Sequence, residues 1–208
     1  MVQLSQSIII SRSYQPPLTP ERATLIYRVL VELSPIWVQA NLVLGADGST
    51  SVNGRSAGLS SAADRTRFHA LRAECDAILI GGATARSEPY RQTPKPLFIL
   101  TRDLDSGLKL SNPAARLLNA TPTEAIAQIR TLGHNRILVE SGANLLSQLL
   151  ALDLLDGIYL TITRATPDEG RFPIDELLNL LALNKMELIS DETMSEEHFL
   201  YFRRSRSD

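Results

Sequence analysis

The 208-residue chain reads as an α/β protein: a mixed, mostly parallel central sheet flanked by helices and closed by an antiparallel C-terminal hairpin. Three observations predict this class. Short β-branched apolar runs alternate with segments of helical period, the order that covers both faces of a parallel sheet. The run "DAILI" (76–80) is apolar on both faces, as a strand inside such a sheet is. The closing stretch "KMELISDETMSEEHFLYFRR" (185–204) alternates on both sides of a polar turn, the pattern of a hairpin.

Residues 1–35 read as an N-terminal extension punctuated by Pro16, Pro17, Pro20 and Pro35. Within it, Leu25, Ile26, Val29, Leu30 and Leu33 are spaced as one face of a helix. The opening "MVQLSQSIIISRSY" has no basic segment ahead of its apolar run, so it is expected to be an ordered or frayed terminus and not a signal peptide. Residues 36–208 are expected to form the working domain. "IWVQANLVL" (36–44) is its first core strand. "GADGSTSVNGRSAG" (45–58) is too polar and glycine-rich for an element and reads as a long ordered loop, a feature that in compact domains is usually functional. Ser60 or Ser61 caps a helix running to Cys75, with Phe68, Leu71 and Cys75 as its apolar stripe. A helical turn follows "DAILI" from Gly82. "KPLFILT" (95–101) is a strand, and Thr121-Pro122 opens the helix "TEAIAQIRTL" with proline at its first position. "RILVES" (136–141), "GANLLSQLLAL" and "DGIYLTITR" (156–164) continue as strand, helix and strand, and "IDELLNLLAL" adds a short helix before the hairpin.

Composition narrows the function. Hydrophobic content of 44% and charged content of 21% are those of an ordinary globular protein. A formal net charge of −2 provides no basic field for nucleic acid or anionic membrane, and neither is expected as a partner. The single cysteine, Cys75, excludes an internal disulfide and any multi-cysteine zinc site. No run approaches the roughly 20 apolar residues of a membrane span. Cytoplasm is the expected compartment.

Two strands end in chemistry suited to phosphates. "ILIGGAT" leaves its strand through Gly81 and Gly82, and "ILVESGANLL" opens a helix through Ser141, Gly142, Ala143 and Asn144. Helix N-termini present free N–H groups and a positive dipole end, and ligands of open α/β sheets bind outside the carboxyl ends of strands. Thr101 and Arg102 stand at a third strand end, where an arginine suits a 2′-phosphate. The fingerprints G-x-G-x-x-G and G-x-x-x-x-G-K-[ST] are both absent. Glu140, last in a buried strand, is the strongest single site residue, because a carboxylate there needs a partner. Asp47 suits an Asx-turn and Arg72 a helix C-terminal dipole, unless they face the same crevice. "GRSAG" (54–58) matches the G-x-S-x-G of serine hydrolases, with Ser56 as nucleophile. The match lacks the strand running directly in and the helix running directly out that such an elbow requires.

Taken together and in order, "ADGSTSVNGRSAGLSS", "LRAECDAILIGGATARSEPY", "ILTRD" and "ILVESGANLL" resemble the reductase domain of bacterial riboflavin biosynthesis, and most nearly its stand-alone actinobacterial-type pyrimidine reductases. The resemblance runs from about Trp37 to the C-terminal hairpin. It implies a dihydrofolate reductase-like fold, NADPH as hydride donor, a small-molecule substrate (a ribosylamino-pyrimidinone 5′-phosphate reduced to its ribitylamino form) and a homodimer. The H-x-E and P-C-x-x-C zinc motif of the partner deaminase does not occur in the sequence, so reduction alone is implied.

Carried over by motif, Ser56 and Arg72 contact the substrate at its phosphate end, with Asp47 beside them, and Glu140 meets its ring edge or hydroxyls. Gly58, Gly81, Gly82, Thr84 and Glu88 line the cofactor, Thr101 and Arg102 its adenosine phosphate, and Gly142, Ala143, Asn144 and Leu145 its diphosphate. The chain departs from the family in "GADG" for S-x-D-G, in Ser49 for the usual basic residue, in Gly58 at a tryptophan position and in "ESG" for E-G-G. These departures surround the substrate pocket. A paralogous reductase of another pyrimidine or a pterin, and a non-catalytic nucleotide-binding protein, are the alternatives.

Overall fold

The computed structural model describes residues 36–102, 112–164, 172–194 and 197–205; the helical pattern of the first 35 residues lies outside them. Among the described residues, strands β1 (Trp37–Gly45), β2 (Ala77–Gly81), β3 (Leu97–Leu100), β4 (Arg116–Leu118), β5 (Arg136–Val139), β6 (Gly157–Thr163), β7 (Met186–Met194) and β8 (Glu197–Arg204) form one sheet in the order β4-β3-β2-β5-β1-β6-β8-β7. All pairings from β4 to β6 are parallel, and β8 and β7 are added antiparallel. The helices are α1 (Ala62–Glu74), α2 (Gly82–Ser87), α3 (Pro122–Thr131), α4 (Ala143–Ala151) and α5 (Ile174–Leu183). The predicted mixed sheet is the one observed, and each predicted strand has a counterpart within a few residues. β4 has no counterpart among the predicted strands: three residues, one exposed and two half-exposed, are too short to show a period.

The strands are apolar on both faces because the sheet carries a core on each side. On one face Val38, Ala40, Leu42 and Leu44 pack with Leu79, Phe98 and Val139 against Ile126 and Ile129 of α3, Leu146 and Leu149 of α4, and Leu177 and Leu181 of α5. On the other, Trp37, Ile78, Ile80, Leu138, Tyr159 and Tyr201 pack with Leu71 and Cys75 at the end of α1. Local signals agree with these positions. Ser61 caps α1 by accepting from the Asp64 amide at 3.0 Å. Thr121 and Glu124 form a reciprocal capping box at α3, with Pro122 at its first position.

Two expectations need correction. The stripe Phe68–Leu71–Cys75 on α1 is only half right. Leu71 and Cys75 are core, but the helix buries Asp64 and Arg67 with Leu71, each at most 3% exposed, while Phe68 turns to a cavity. Spacing alone put the apolar residues inward, whereas β6 offers Thr161 and β8 offers Phe199 to receive a charged pair. Nor does "EHFLYFRR" alternate. Phe199 to Phe202 are consecutively buried because β8 is an interior strand between β6 and β7. The sheet edge is β7, most of which is exposed or half-exposed.

Where α1 hands over to β2, Asp76 ties β2 to β5. Its Oδ2 accepts from the amides of Asn135 (3.1 Å) and Arg136 (2.9 Å), and its Oδ1 accepts from Arg136 Nε (3.1 Å) and Nη2 (2.8 Å). Partial burial pushes the Asp76 carboxyl up, but the hydrogen bonds and charge of Arg136 outweigh it and hold the carboxyl below its ordinary value. A depressed folded-state pKa contributes stability above the unfolded-state value, lost as pH falls through the folded one. Asp76→Asn is therefore expected to lower stability at neutral pH, with the deficit shrinking at an acid pH below the ordinary carboxylate range. Denaturation curves at both pH values check this, and a pH-independent deficit would contradict it.

Candidate functional site

Because β3, β2, β5 and β1 are parallel, their carboxyl ends lie along one sheet edge. That edge gathers Thr101 and Arg102, Gly81 and Gly82, Glu140 to Leu145, and Gly45 to Asp47 from four distant parts of the sequence. On the α1 side it opens into a cavity of about 640 Å³. β1 contributes Asn41 to Val43, the long loop contributes Thr50, Ser51 and Ser56, and α1 contributes Asp64, Arg65, Phe68, His69 and Arg72. α2 and the segment after it contribute Thr84, Glu88, Pro89 and Tyr90, and the turn after β5 contributes Glu140, Ser141 and Gly142.

Glu140 is 5% exposed, and its partner is Arg72. Arg72 donates from Nε to Oε1 and from Nη2 to Oε2, both at 2.7 Å, a two-pronged pairing suited to a planar carboxylate. The Tyr90 hydroxyl donates to Oε2 at 3.0 Å. The Arg72 guanidinium lies 4.1 Å from the Phe68 ring centroid and 5.5 Å from that of Tyr90, so two aromatic faces enclose it. Burial works against the Arg72 charge, and the Glu140 hydrogen bond and charge more than restore it. Burial first, then the adjacent Glu140 charge, push the Tyr90 hydroxyl well above its ordinary value, so it remains a donor. The Cys75 thiol, beneath Arg72 and likewise buried, is pushed up to about 12 and has no thiolate chemistry at neutral pH.

A second cluster holds the loop. Ser56 begins a short 3₁₀ turn, Ser56–Gly58, and both its amide (2.7 Å) and its hydroxyl (2.9 Å) donate to Glu88 Oε1. These bonds tether the loop to the end of α2. Among the described hydrogen bonds, no histidine reaches Ser56: His198 pairs within the β7–β8 hairpin with Thr193 and Asp191, and His134 packs edge-on against Phe98. A third cluster runs from the cavity wall into the core. The Ser60 hydroxyl donates to Asp64 Oδ2 at 2.6 Å, Thr161 donates to Asp64 Oδ1, and Arg67 donates to Thr161. Arg67 also lies 3.8 Å from Asp64 and 5.0 Å from the Phe199 ring centroid.

Of the residues singled out from the sequence, Ser56, Arg72, Thr84, Glu88, Glu140 and Gly142 line this one cavity. Asp47 makes its Asx-turn, accepting from the Ser49 amide at 3.1 Å. The side-chain spaces at the glycines are largely filled by the protein itself. A Cβ on Gly82 would meet Thr101 Oγ1 at 2.9 Å, one on Gly81 would meet Ser141 Oγ at 3.2 Å, and one on Gly58 would meet Val52 at 2.5 Å. These glycines allow close packing of turn on strand. Thr101 is thereby buried against α2, while Arg102 beyond it is exposed. Gly142 differs: a Cβ there would meet nothing within 4 Å, and it caps α4 with no side-chain hydrogen bond. The first amides of α4, those of Ala143, Asn144 and Leu145, therefore begin a helix beside the cavity with no side-chain cap over them. Asn41, Ser60, Asp64, Arg65, His69 and Tyr90 were not singled out. The one sequence signal that could have found Arg65 and His69 is their spacing with Phe68 and Arg72 (i, i+3, i+4, i+7), which puts the four on one face of α1.

A sheet with this strand order and a polar crevice at its carboxyl edge is of the dihydrofolate reductase-like class. The chain belongs to the RibD C-terminal domain family, whose model matches residues 36–166, and is of the riboflavin-biosynthesis reductase type. No curated protein sequence matches it. Solved structures share its fold. A pyrimidine reductase-like protein from Corynebacterium diphtheriae superposes with a TM-score of 0.71 at 18% identity, over 91% of this chain and 100% of that one. The diaminohydroxyphosphoribosylaminopyrimidine deaminase/5-amino-6-(5-phosphoribosylamino)uracil reductase of Thermotoga maritima gives 0.66 at 15% identity, over 88% of this chain and 60% of that one. Dihydrofolate reductase from Enterococcus faecalis, solved in complex with NADP(H), gives 0.58 at 13% identity, over 82% and 97%.

Proposed function

We propose that this chain is an NADPH-dependent reductase converting a ribosylamino-pyrimidinone 5′-phosphate to its ribitylamino form. The observation that carries the reading is the Arg72–Glu140–Tyr90 floor in the same crevice as the uncapped start of α4. That start suits a diphosphate: free amides, a positive dipole end and open space at Gly142. Ala143, Asn144 and Leu145 would hold the diphosphate, Thr84 and Glu88 would flank the cofactor, and Arg102 would hold the 2′-phosphate. Arg102 follows β3, two strands or roughly 10 Å from β5. When bound, NADPH supplies the hydride. The chain's own work is placement. Glu140 Oε1 accepts one bond from Arg72 and keeps a lone pair for an N–H or O–H of the substrate. Leu42, Val43, Phe68 and Pro89 supply apolar wall against which a flat ring packs and from which water is displaced.

One observation supports a second reading. Ser49, where the family has a basic residue, is fully buried and packed beside Gly45, so it reaches no ligand. A related pyrimidine or a pterin would then be the substrate. Oxidation of NADPH by the purified protein with the ribosylamino-pyrimidinone phosphate, and not with a dihydropterin, is expected. The reverse preference would support the second reading, and NADPH binding without turnover of either would mark a non-catalytic nucleotide-binding protein. In the same assay Arg102→Ala is expected to shift the preference for NADPH over NADH by about tenfold or more. Equal loss for both cofactors would remove Arg102 from the site.

We further propose a homodimer. The exposed edge strand β7 carries Leu188, 46% exposed, and Ile189, and Leu183 at the end of α5 is 80% exposed, an apolar set that a second copy would cover. Light scattering at micromolar concentration is expected to return twice the chain mass, and a monomer would rule the dimer out.

A further inference from the structure

The charges lining the cavity do not leave the anchoring cation where the family motif puts it. Three carboxylates line the cavity, and all are engaged within the protein: Asp64 by Ser60 and Thr161, Glu88 by Ser56, Glu140 by Arg72 and Tyr90. Of the basic side chains, Arg72 has two prongs of its guanidinium on Glu140 and its faces between Phe68 and Tyr90. Arg65 and His69 remain. Both are exposed, both line the cavity, and they lie four residues apart on α1, hence side by side. Among the described residues the Arg65 guanidinium has no hydrogen bond or ion pair, and the His69 ring has only an edge contact with Phe68, centroids 5.6 Å apart.

We propose that Arg65 and His69 form the subsite for the substrate's phosphate monoester, in place of Arg72. The inference rests on the reductase reading above and names where that substrate's anionic end lies. An arginine fork with an imidazole N–H beside it supplies convergent donors for a dianion without leaving a buried carboxylate unpaired. Seven residues at about 1.5 Å separate Arg65 from Arg72 by about 10 Å along the helix. A five-carbon sugar chain ending in phosphate spans such a distance, with its ring on the Glu140 floor.

Two measurements on the full chain test it. The first compares KM for the ribosylamino-pyrimidinone 5′-phosphate with KM for its dephosphorylated counterpart. Arg65→Ala is expected to erode the preference for the phosphorylated form by about tenfold or more, with partial recovery in Arg65→Lys. An equal rise in both KM values would overturn the subsite. The second is calorimetric titration with ribose 5-phosphate, with His69 imidazole nitrogen shifts followed by NMR. Binding by wild type, its loss in Arg65→Ala and a shift of the His69 signals support the subsite. Absent binding, or binding that survives Arg65→Ala, overturns it. If wild type turns over neither pyrimidinone, the reductase reading fails, and the titration alone then decides the anion subsite.

Discussion

Glu140→Gln is expected to lower kcat/KM by about a hundredfold. The carboxylate is 5% exposed at the end of β5 and carries Arg72 on both oxygens. The amide keeps the shape, but it accepts at one atom only and turns a donor toward a guanidinium. Arg72 is then a mostly buried cation without a counter-charge, and breaking such a pair costs about 3 kcal/mol of folding stability. The two losses are separable. Arg72→Met combined with Glu140→Gln removes the stranded charge and is expected to recover much of the stability without recovering turnover. Thermal melts alongside steady-state rates check both, and a variant with wild-type kcat/KM would take Glu140 out of the chemistry.

Asp64→Asn is expected to have a comparable effect on folding, about 3 kcal/mol, because it removes the nearest counter-charge of the buried Arg67. That guanidinium is 3% exposed, its Nε already lacks a hydrogen-bond partner, and around it are Thr161, Phe199 and Tyr159, with the Glu192 carboxylate of β7 as a second acidic group whose charge reaches it. The same substitution frees the Ser60 hydroxyl at the cavity wall, so KM should rise beyond what lost stability explains. Replacing Arg67 by Met together with Asp64→Asn is expected to recover stability, since an apolar side chain of similar length suits the aromatic surroundings. Urea denaturation of the single and double variants measures this. An additive double variant, no more stable than the sum of its parts, would show that the two charges do not depend on each other.

Part of the cavity's lining, Ser56, Arg72, Thr84, Glu88, Glu140 and Gly142, was legible in the chain. "ILVES" announced a carboxylate at a buried strand end, and "SGANLL" announced a helix opening beside it, because both follow from local pattern and from the parallel order of the strands. The reading of the glycines was incomplete for a physical reason. Gly81 and Gly82 signal that something comes close to the backbone, but sequence cannot say whether it is a ligand or Thr101 and Ser141 from neighbouring strand ends.

What the sequence determined by itself is the class of sheet, the order of its main elements and the sheet edge that carries the glycine turns and Glu140, since periodicity, caps and strand composition are properties of short segments. Only the tertiary structure decided which polar groups satisfy one another. Asp64 and Arg67 are inward although Phe68 is the more apolar neighbour, and Glu140 meets Arg72 across 68 residues and Tyr90 across 50. A buried charge is tolerated only where a partner from another element arrives within hydrogen-bond distance, and no local pattern encodes that arrival.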